Sequence, residues 1–319
     1  MPDTIALSAV IPDELAGSRL DQAVAQLFPD YSRSRLQSWI KSGELTVNGS
    51  QYRPRDKIMG GEEIRIGAEL QDEGDWQPQQ IDFGLHYEDD HLLVLNKPVG
   101  LVVHPAAGHA DGTLVNALIE HCPALAQLPR AGIVHRLDKD TSGLMVVAKT
   151  LEAHTSLVKQ LQARDVHREY EALVYGAMTG GGKVDEPMGR HPQQRKKMAV
   201  VRAGGKEAIT HYRIIERFKH FSHVRCLLET GRTHQIRVHM AHIKHPLIGD
   251  ALYAGRLRQP KGASDLLSET LRTFRRQALH ARKLELVHPA SGELVSWESD
   301  LPDDFQRLRA VLASEDGNG

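Results

Sequence analysis

The chain has 319 residues, enough for two ordinary domains that each bury an apolar core. Its composition, 40% hydrophobic, 25% charged and 5% aromatic, is typical of a globular protein and argues against a membrane-embedded, collagen-like or disordered chain. With 40 lysines and arginines against 41 acidic residues, the net charge is -1, which excludes a uniformly basic nucleic-acid-binding protein.

The sequence carries no signal for export or membrane insertion. No stretch approaches the roughly 20 consecutive apolar residues that are needed to cross a bilayer. The first residues, MPDTIALSAVIPDE, lack the basic segment and the long apolar segment of a secretory signal. We therefore expect a cytoplasmic protein that makes no contact with membranes.

A small module is predicted over residues 13–68. Residues 18–28 have the apolar spacing of an amphipathic helix, with Ser18 as the expected N-cap. A second helix ends at Gly43, where a left-handed residue is suitable, and Asn48-Gly49 predicts a hairpin turn between two short strands. A unit of this size is only marginally stable alone, which favours a tethered binding module.

A larger domain is predicted after an acidic linker. Residues 69–90 contain eight acidic residues and no lysine or arginine, a composition that is typical of a linker. Over residues 91–310, short apolar strands alternate with helical segments, including a helix that Thr150 can cap. This pattern predicts an α+β domain with a mixed or mostly antiparallel sheet, and residues 311–319 are expected to form a disordered tail.

The near-zero net charge results from cancellation between separate blocks. Residues 31–58 contain six basic and two acidic residues, residues 189–213 seven and one, and residues 255–283 eight and two. Such runs are often only solvated surface, but they also suit the phosphates of a nucleic acid. The sequence therefore predicts one positive face, with the acidic segments away from it.

A dense polar cluster lies between apolar segments at residues 132–145, GIVHRLDKDTSGLM. Asp138 and Asp140 would point to the same side of an extended segment but diverge in a turn. The pair could serve as the two carboxylates of a glycosidase, whereas in the alternative interpretation Asp138 caps a turn and Asp140 is solvated. The spacing does not decide between them.

A second cluster, residues 227–250, is rich in histidine and arginine. His239, His242 and His245 recur every three residues, but on a helix the first and last are about 240° apart, so a metal site is disfavoured. Arg237 lies between two apolar residues on a stripe that should be partly buried, and such an arginine needs an anion, either a carboxylate or a phosphate.

Six sequence blocks resemble those of the RluA group of RNA pseudouridine synthases, and they follow one another along the chain in the order that this group has. The signature of that group is similar to HRLDKDTSGL, which contains Asp138. The other blocks are NKPVGLVVHP (96–105), GTLVNAL (112–118), HREYEALVYG (167–176), TGRTHQIRVHMAHIKHPLIGD (230–250) and QALHARKLELVHP (277–289). The N-terminal module resembles the S4 RNA-binding domain that the RluD type of this group carries.

The resemblance assigns catalytic roles to three residues. The catalytic aspartate of the family falls on Asp138, its active-site tyrosine on Tyr170, and the basic partner of the aspartate on Arg237. Asp140 falls on a position that varies in the family, so the two-carboxylate interpretation loses its support.

The implied reaction is the isomerisation of uridine to pseudouridine, which requires neither a cofactor nor a metal. Asp138 would act as a nucleophile on the sugar or as a base for a sugar proton, and pairing with Arg237 would keep it ionised. Tyr170 would offer an aromatic face to the uracil and a hydroxyl near its C5 atom. Because the base must be flipped out, uridines in loops are the expected targets.

The implied partner is 23S ribosomal RNA or a precursor of the large ribosomal subunit, bound by a monomer. Two other functions remain open: a non-catalytic RNA-binding assembly factor, and a hydrolase that releases uracil from an N-glycoside. The predicted RNA-binding residues are Arg33, Arg35, Lys41, Arg53, Arg55, Lys57, His135, Arg136, Arg195, Lys196, Lys197 and Arg232.

Overall fold

The computed structural model describes residues 4–28, 31, 33–69, 76–105, 111–194 and 197–315. These residues form an N-terminal module and a larger domain, and each has its own apolar core. Both parts combine helices with sheets, which confirms the predicted α+β class. Within these ranges, no helix is both long and apolar enough to span a bilayer.

The N-terminal module packs two helices against one sheet. The antiparallel sheet has the order β1-β3-β2, formed by Thr4–Val10, Leu45–Val47 and Glu63–Glu69 as β1, β2 and β3. Helices α1 (Leu20–Leu27) and α2 (Arg33–Ser42) bury their apolar sides against it. Strand β1 lies before residue 13, where the sequence placed the start of the module.

The prediction that Ser18 caps α1 is wrong. The N-cap position is Arg19, and no side chain caps the helix there. The Arg19 guanidinium instead donates two hydrogen bonds of 2.9 Å to the carboxylate of Asp21, which is fully buried. This bidentate pair covers the first turn of the helix and neutralises a charge that would otherwise be costly to bury.

The Asn48-Gly49 turn forms, but the hairpin that was expected around it does not. Both residues have positive φ, 49° and 76°, as the turn requires. After the turn, pairing stops at a single bridge between Val47 and Ser50, and β2 pairs with β3 instead. The chain after the turn, residues 51–62, crosses to β3 without forming a strand.

The larger domain is built on a nine-stranded sheet. Its order is β4-β5-β6-β13-β7-β12-β11-β8, with β14 paired to β13, and only the β6–β13 pair is parallel. The remaining pair, β9 and β10, forms a separate hairpin. The strands are β4 (Leu85–Glu88), β5 (Leu92–Lys97), β6 (Ser142–Ala148), β7 (His167–Tyr175), β8 (Gly182–Asp185), β9 (Met188–Arg190), β10 (Met198–Val200), β11 (Ile209–Arg217), β12 (Phe221–Leu228), β13 (Leu279–Val287) and β14 (Leu294–Glu298).

Helices cover both faces of this sheet. On one face, α3 (Leu114–His121) and α5 (Gln235–His242) contribute to the main core. The cores on the other side include α4 (Leu151–Ala163), α6 (Asp265–Thr273) and α7 (Asp303–Ser314). The Thr150 hydroxyl accepts a hydrogen bond of 3.1 Å from the amide of Ala153, so the predicted cap of α4 is confirmed.

The larger domain begins before residue 91 and ends after residue 310, which are the limits that the sequence predicted. Residues 85–88 of the acidic segment form β4 at the edge of the sheet, and Phe83 is buried in the main core. At the other end, α7 continues to Ser314. Pairing and packing within the domain therefore include residues whose composition resembles that of a linker or a tail.

Candidate active site

A cavity of about 530 Å³ opens beside the centre of the sheet. It lies between the loop that precedes β6, the face of β7 and the start of α5. Its walls combine apolar side chains with charged and aromatic groups, including Ile133, Leu228, Ile236, Leu279, Asp138, Tyr170, Arg168, His234 and Arg237. The volume is within the range of small-molecule sites, so a single nucleotide base can be enclosed here.

Arg237 holds two carboxylates together at one side of this cavity. Its Nη1 atom donates to Oδ2 of Asp138 at 2.7 Å, while Nε and Nη2 donate to the two oxygens of Asp250 at 2.7 and 2.9 Å. Asp250 is 2% exposed and Arg237 is 7% exposed. Burial alone would lower the pKa of Arg237, but both carboxylates raise it above its ordinary value. The predicted need of Arg237 for an anion is met by carboxylates.

One oxygen of Asp138 is left for the cavity. Oδ2 accepts a hydrogen bond from Arg237, whereas Oδ1 lies 3.7 Å from Nε2 of His234, which is too long for a hydrogen bond. The Asp138 side chain is 17% exposed. The arginine therefore fixes the orientation of the carboxylate and leaves Oδ1 available to react.

The side chain of Lys97, which is fully buried, anchors the loop that carries Asp138. Its ammonium donates to the backbone oxygens of Pro98, Leu101 and Lys139 at 2.8, 3.0 and 3.0 Å. Burial lowers the pKa of Lys97 to about 8, against the opposing effect of Asp140 and Asp138. Only the protonated amine has three hydrogens to donate, so the anchor is complete in the charged form.

Tyr170 lies on β7 in the cavity wall and is 5% exposed. Burial raises the pKa of its phenol, Arg168 opposes this rise and Asp138 adds to it. The phenol is therefore protonated at neutral pH. The structure thus brings together the three predicted catalytic residues, whereas Asp140 is absent from the cavity wall.

His234 faces Asp138 with a defined tautomer. The hydroxyl of Tyr253 accepts a hydrogen bond from the amide of Met198 at 3.0 Å and lies 2.7 Å from Nδ1 of His234. The ionised carboxylate of Asp138 can only accept hydrogen bonds, so a neutral ring carries its hydrogen on Nε2, which faces Oδ1, and Nδ1 accepts the phenolic hydrogen of Tyr253. Burial lowers the pKa of His234, against the effect of Asp138, so the neutral form is favoured.

The predicted RNA-binding residues have different environments. Six are exposed: Lys41, Arg53, Arg55, Lys57, Arg136 and Arg232. Arg136 and Arg232 also line the cavity, while Lys197 is half-buried next to β10. The side chain of Arg33 and the whole of Arg195 and Lys196 lie outside the described residues.

Two of the predicted RNA-binding residues are engaged inside the protein. Arg35 is 8% exposed, and its Nη1 atom donates to the backbone oxygen of Gln127 in the larger domain at 3.2 Å. Nε2 of His135 accepts a hydrogen bond of 3.1 Å from the amide of Val146. Burial and the charge of Arg168 lower the pKa of His135 to about 3, so it is neutral. Neither residue is a free cation for phosphate.

The histidine triplet does not form a common site. His239 is buried, with Nδ1 next to the hydroxyl of Thr210 and Nε2 next to the backbone oxygen of Glu186. His242 is exposed at the end of α5, and His245 lies beyond that helix. Among the residues that the structure describes, no group of three histidines, cysteines or acidic residues is placed to hold a metal ion.

The sequence did not assign roles to two residues that line the cavity, His234 and Arg168. It also did not assign roles to Asp250 and Tyr253, which contact Arg237 and His234. A signal existed for Asp250, because a buried Arg237 requires an anion and Asp250 ends the same sequence block. Tyr253 and His234 carried no signal, since their bond joins residues that only the fold brings together. Arg168 also carried no signal, because its sequence pattern does not distinguish it from an arginine on the exposed face of a strand.

The fold and the site together are those of an enzyme in which a carboxylate held by an arginine faces a cavity with exposed cations at its rim. A family model for RNA pseudouridylate synthases matches residues 91–242, and a model for the S4 domain matches residues 18–64.

Sequence relatives extend along the whole chain. Ribosomal large subunit pseudouridine synthase D of Pseudomonas aeruginosa is 60% identical over 315 residues, which cover 99% of this chain and 98% of that protein. The protein of the same name from Xanthomonas campestris pv. campestris is 56% identical over 313 residues, 98% of this chain and 94% of that protein.

A solved structure shares the fold. Human RNA pseudouridylate synthase domain containing 4 superposes with a TM-score of 0.56 at 28% identity, over 72% of this chain and 93% of that one. The chain belongs to the RNA pseudouridylate synthase family and is an RNA pseudouridine synthase with an N-terminal S4 domain. The resemblance drawn from the sequence blocks is confirmed.

Proposed function

We propose that the protein converts uridines in loops of 23S ribosomal RNA to pseudouridine during maturation of the large ribosomal subunit. The names of relatives that match nearly the full chain support this substrate. The observation that carries the proposal is the arrangement of Arg237, which holds Asp138 with one oxygen directed at a cavity that Tyr170 lines. We further propose that the enzyme works as a monomer in the cytoplasm, where ribosomes are assembled.

In the proposed reaction, the uridine is flipped into the cavity, which costs least when the base is already unpaired. Oδ1 of Asp138 then acts on the sugar, either by bonding to C1' or by removing the 2' proton, and the C1'–N1 bond breaks. The uracil turns until C5 faces C1', and the C5–C1' bond forms while the bond from Asp138 to C1' breaks or, in the other route, while Asp138 returns the proton to C2'. The C5 proton is lost, N1 is protonated, and Tyr170 is placed to accept or donate one of these protons.

RNA is proposed to approach across the exposed cations. Arg136 and Arg232 at the rim are suited to the phosphates next to the flipped uridine. Lys41, Arg53, Arg55 and Lys57 on the S4 module would contact phosphates farther along the RNA. Arg33, Arg195, Lys196 and Lys197 stay in this proposed set, whereas Arg35 and His135 leave it.

The decisive test uses a 23S rRNA transcript, the purified protein and no added metal or nucleotide. We expect pseudouridine at defined loop positions with the unaltered protein. Asp138→Asn removes the reactive charge but keeps the shape, so conversion should fall by at least about a thousandfold while RNA binding persists. Pseudouridine is mapped on the recovered RNA, and circular dichroism checks that the variant is folded.

Other outcomes would contradict the proposal in distinct ways. Release of free uracil would favour the N-glycoside hydrolase. Tight, specific binding without any conversion would favour the non-catalytic assembly factor. Unchanged pseudouridine formation by Asp138→Asn would overturn the role of the carboxylate.

A further inference from the structure

We infer that Arg168 stabilises the negative charge that develops on the uracil when its bond to the sugar breaks. This role would make it a second catalytic residue on β7, and the inference rests on the proposed function. Arg168 is two residues before Tyr170, so both side chains lie on the same face of the strand. Both line the cavity.

Arg168 is a buried cation that no carboxylate of the described residues neutralises. It is 8% exposed, and its Nε atom has no hydrogen-bond partner among the described residues. Its guanidinium forms no ion pair with any carboxylate among the residues that the structure describes. Arg237, the other buried arginine of the cavity, has two carboxylates. Because burying an uncompensated charge is costly, Arg168 is suited to a ligand that brings negative charge.

Gly231 gives the guanidinium room. A Cβ atom added to Gly231 would lie 2.7 Å from Nη1 of Arg168. The φ of Gly231 is outside the left-handed range, so the backbone conformation does not require glycine at this position. The absence of a side chain therefore matters for space, and it leaves the guanidinium beside the cavity.

The reaction supplies an anion of suitable shape. When the C1'–N1 bond breaks, its electron pair stays on the uracil, and the charge is shared by N1 and the two carbonyl oxygens. N1 and O2 then form a planar pair similar to a carboxylate, which the fork of a guanidinium can hold with two hydrogen bonds. Once C5 has bonded to C1' and lost its proton, N1 takes up a proton and the charge disappears. Arg168 would thus bind the transition state more tightly than the substrate.

A backbone phosphate is the competing anion, and the position of Arg168 argues against it. Arg136 and Arg232 are exposed at the rim, where a phosphodiester chain can reach them. Arg168 is instead buried next to Tyr170 and His135, and its charge affects the pKa of both. A buried guanidinium next to Tyr170 is therefore better placed to donate hydrogen bonds to the uracil base than to a backbone phosphate.

The test compares Arg168→Met and Arg168→Lys in the full chain with a matched control, Arg225→Met. Arg225 pairs with Glu169 at 3.0 Å and with Glu171 at 3.8 Å, and both carboxylates lie on the opposite face of β7 from Tyr170. The readouts are the single-turnover rate of conversion at saturating protein, the Kd for the RNA and its salt dependence. We expect Arg168→Met to slow conversion about a hundredfold at an unchanged Kd, Arg168→Lys to be intermediate, and Arg225→Met to match the unaltered protein.

Three outcomes would overturn the inference. An unchanged rate in Arg168→Met would remove any catalytic role. A weaker Kd with a salt slope reduced by about 1 would identify a phosphate contact instead. A loss of activity that follows a fall in Tm would indicate a structural role, since removal of an unpaired buried charge should not destabilise the free protein.

Two further measurements keep the experiment decisive. If Arg168→Met does not fold, Arg168→Gln provides the same comparison with a polar neutral side chain. The unaltered protein and Asp138→Asn are measured beside these variants. A failure of the unaltered protein to form pseudouridine contradicts the proposed function, whereas full activity of Arg168→Met contradicts only this inference.

Discussion

At the scale of single residues, the protonation state of His234 is set by its neighbours. His234 has a positive φ of 60°, which is uncommon for a residue with a side chain, and it forms the N-cap position of α5. The backbone thus places its ring between Tyr253 and Asp138. A hydrogen bond from the Tyr253 hydroxyl to Nδ1 stabilises the neutral ring, which leaves Asp138 with Arg237 as its cationic partner.

Tyr253→Phe should therefore make the enzyme sensitive to acid. Without the hydroxyl, the His234 ring can take up a proton more readily, and the imidazolium would pair with Oδ1 of Asp138 and block it. We expect the acid limb of the rate profile to move to higher pH by up to about one unit, which corresponds to roughly 1.4 kcal/mol. Single-turnover rates from pH 5.5 to 8.5 measure the shift, and superimposable profiles would contradict it.

At the scale of elements, side chains reinforce the short parallel contact between β6 and β13. Only two residue pairs connect these strands. Gly143 allows the close approach, because a Cβ there would lie 2.3 Å from the backbone oxygen of Ala281, and its φ is 115°. The buried ring of His280 then joins the hydroxyls of Ser142 and Ser299, both at 2.9 Å.

This junction predicts a loss of stability in acid. Burial lowers the pKa of His280 to about 4, below the ordinary value of 6.5. Between these two values the unfolded chain binds a proton that the native chain does not. The free energy of unfolding should therefore fall with decreasing pH, by up to about 1.4 kcal/mol per pH unit for this group.

The contribution of His280 can be isolated with His280→Gln, whose amide can still join two hydroxyls but does not titrate. Urea unfolding at pH 7, 6 and 5 should show a shallower pH dependence for the variant than for the unaltered protein. An identical pH dependence would show that His280 is not the group responsible.

At the scale of the whole molecule, the two domains have separate cores. The core of the S4 module uses residues between Ile11 and Ala68, and the other cores begin at Phe83. A hydrogen bond from Arg35 to the backbone oxygen of Gln127 connects the two parts. The exposed cations of the module therefore belong to a unit whose loss should leave the fold of the larger domain intact.

Deletion of residues 1–68 should weaken RNA binding and its salt dependence together. Each lost phosphate contact should reduce the slope of log K against log salt by about 0.7 to 0.9. The Tm of the larger domain should stay close to that of the full chain. As a matched variant, replacement of Arg53, Arg55 and Lys57 by glutamine keeps the module folded and should lower the slope in the same direction. An unchanged slope in both proteins would contradict the role of the module.

Local patterns in the sequence were sufficient for much of this description. Several strands of the larger domain, such as β6 and β7, follow from runs of apolar residues, and Thr150 at the start of α4 follows from capping chemistry. Asp138, Tyr170 and Arg237 were identified because their blocks resemble a known family. These features depend on residues that are close together in the chain, so they can be read without the fold.

Features that depend on distant residues were decided by the tertiary structure. Arg237 and Asp138 are 99 residues apart, and Arg35 and Gln127 are 92 apart. Their pairing leaves one oxygen of Asp138 toward the cavity and buries Arg35, which is therefore not one of the exposed cations. Strand β1 was missed because its partner β3 lies more than 50 residues further along the chain. Whether a charge is paired or alone, as at Arg168, is settled by what the whole fold packs around it, since burial makes an unpaired charge costly and a local pattern does not contain that information.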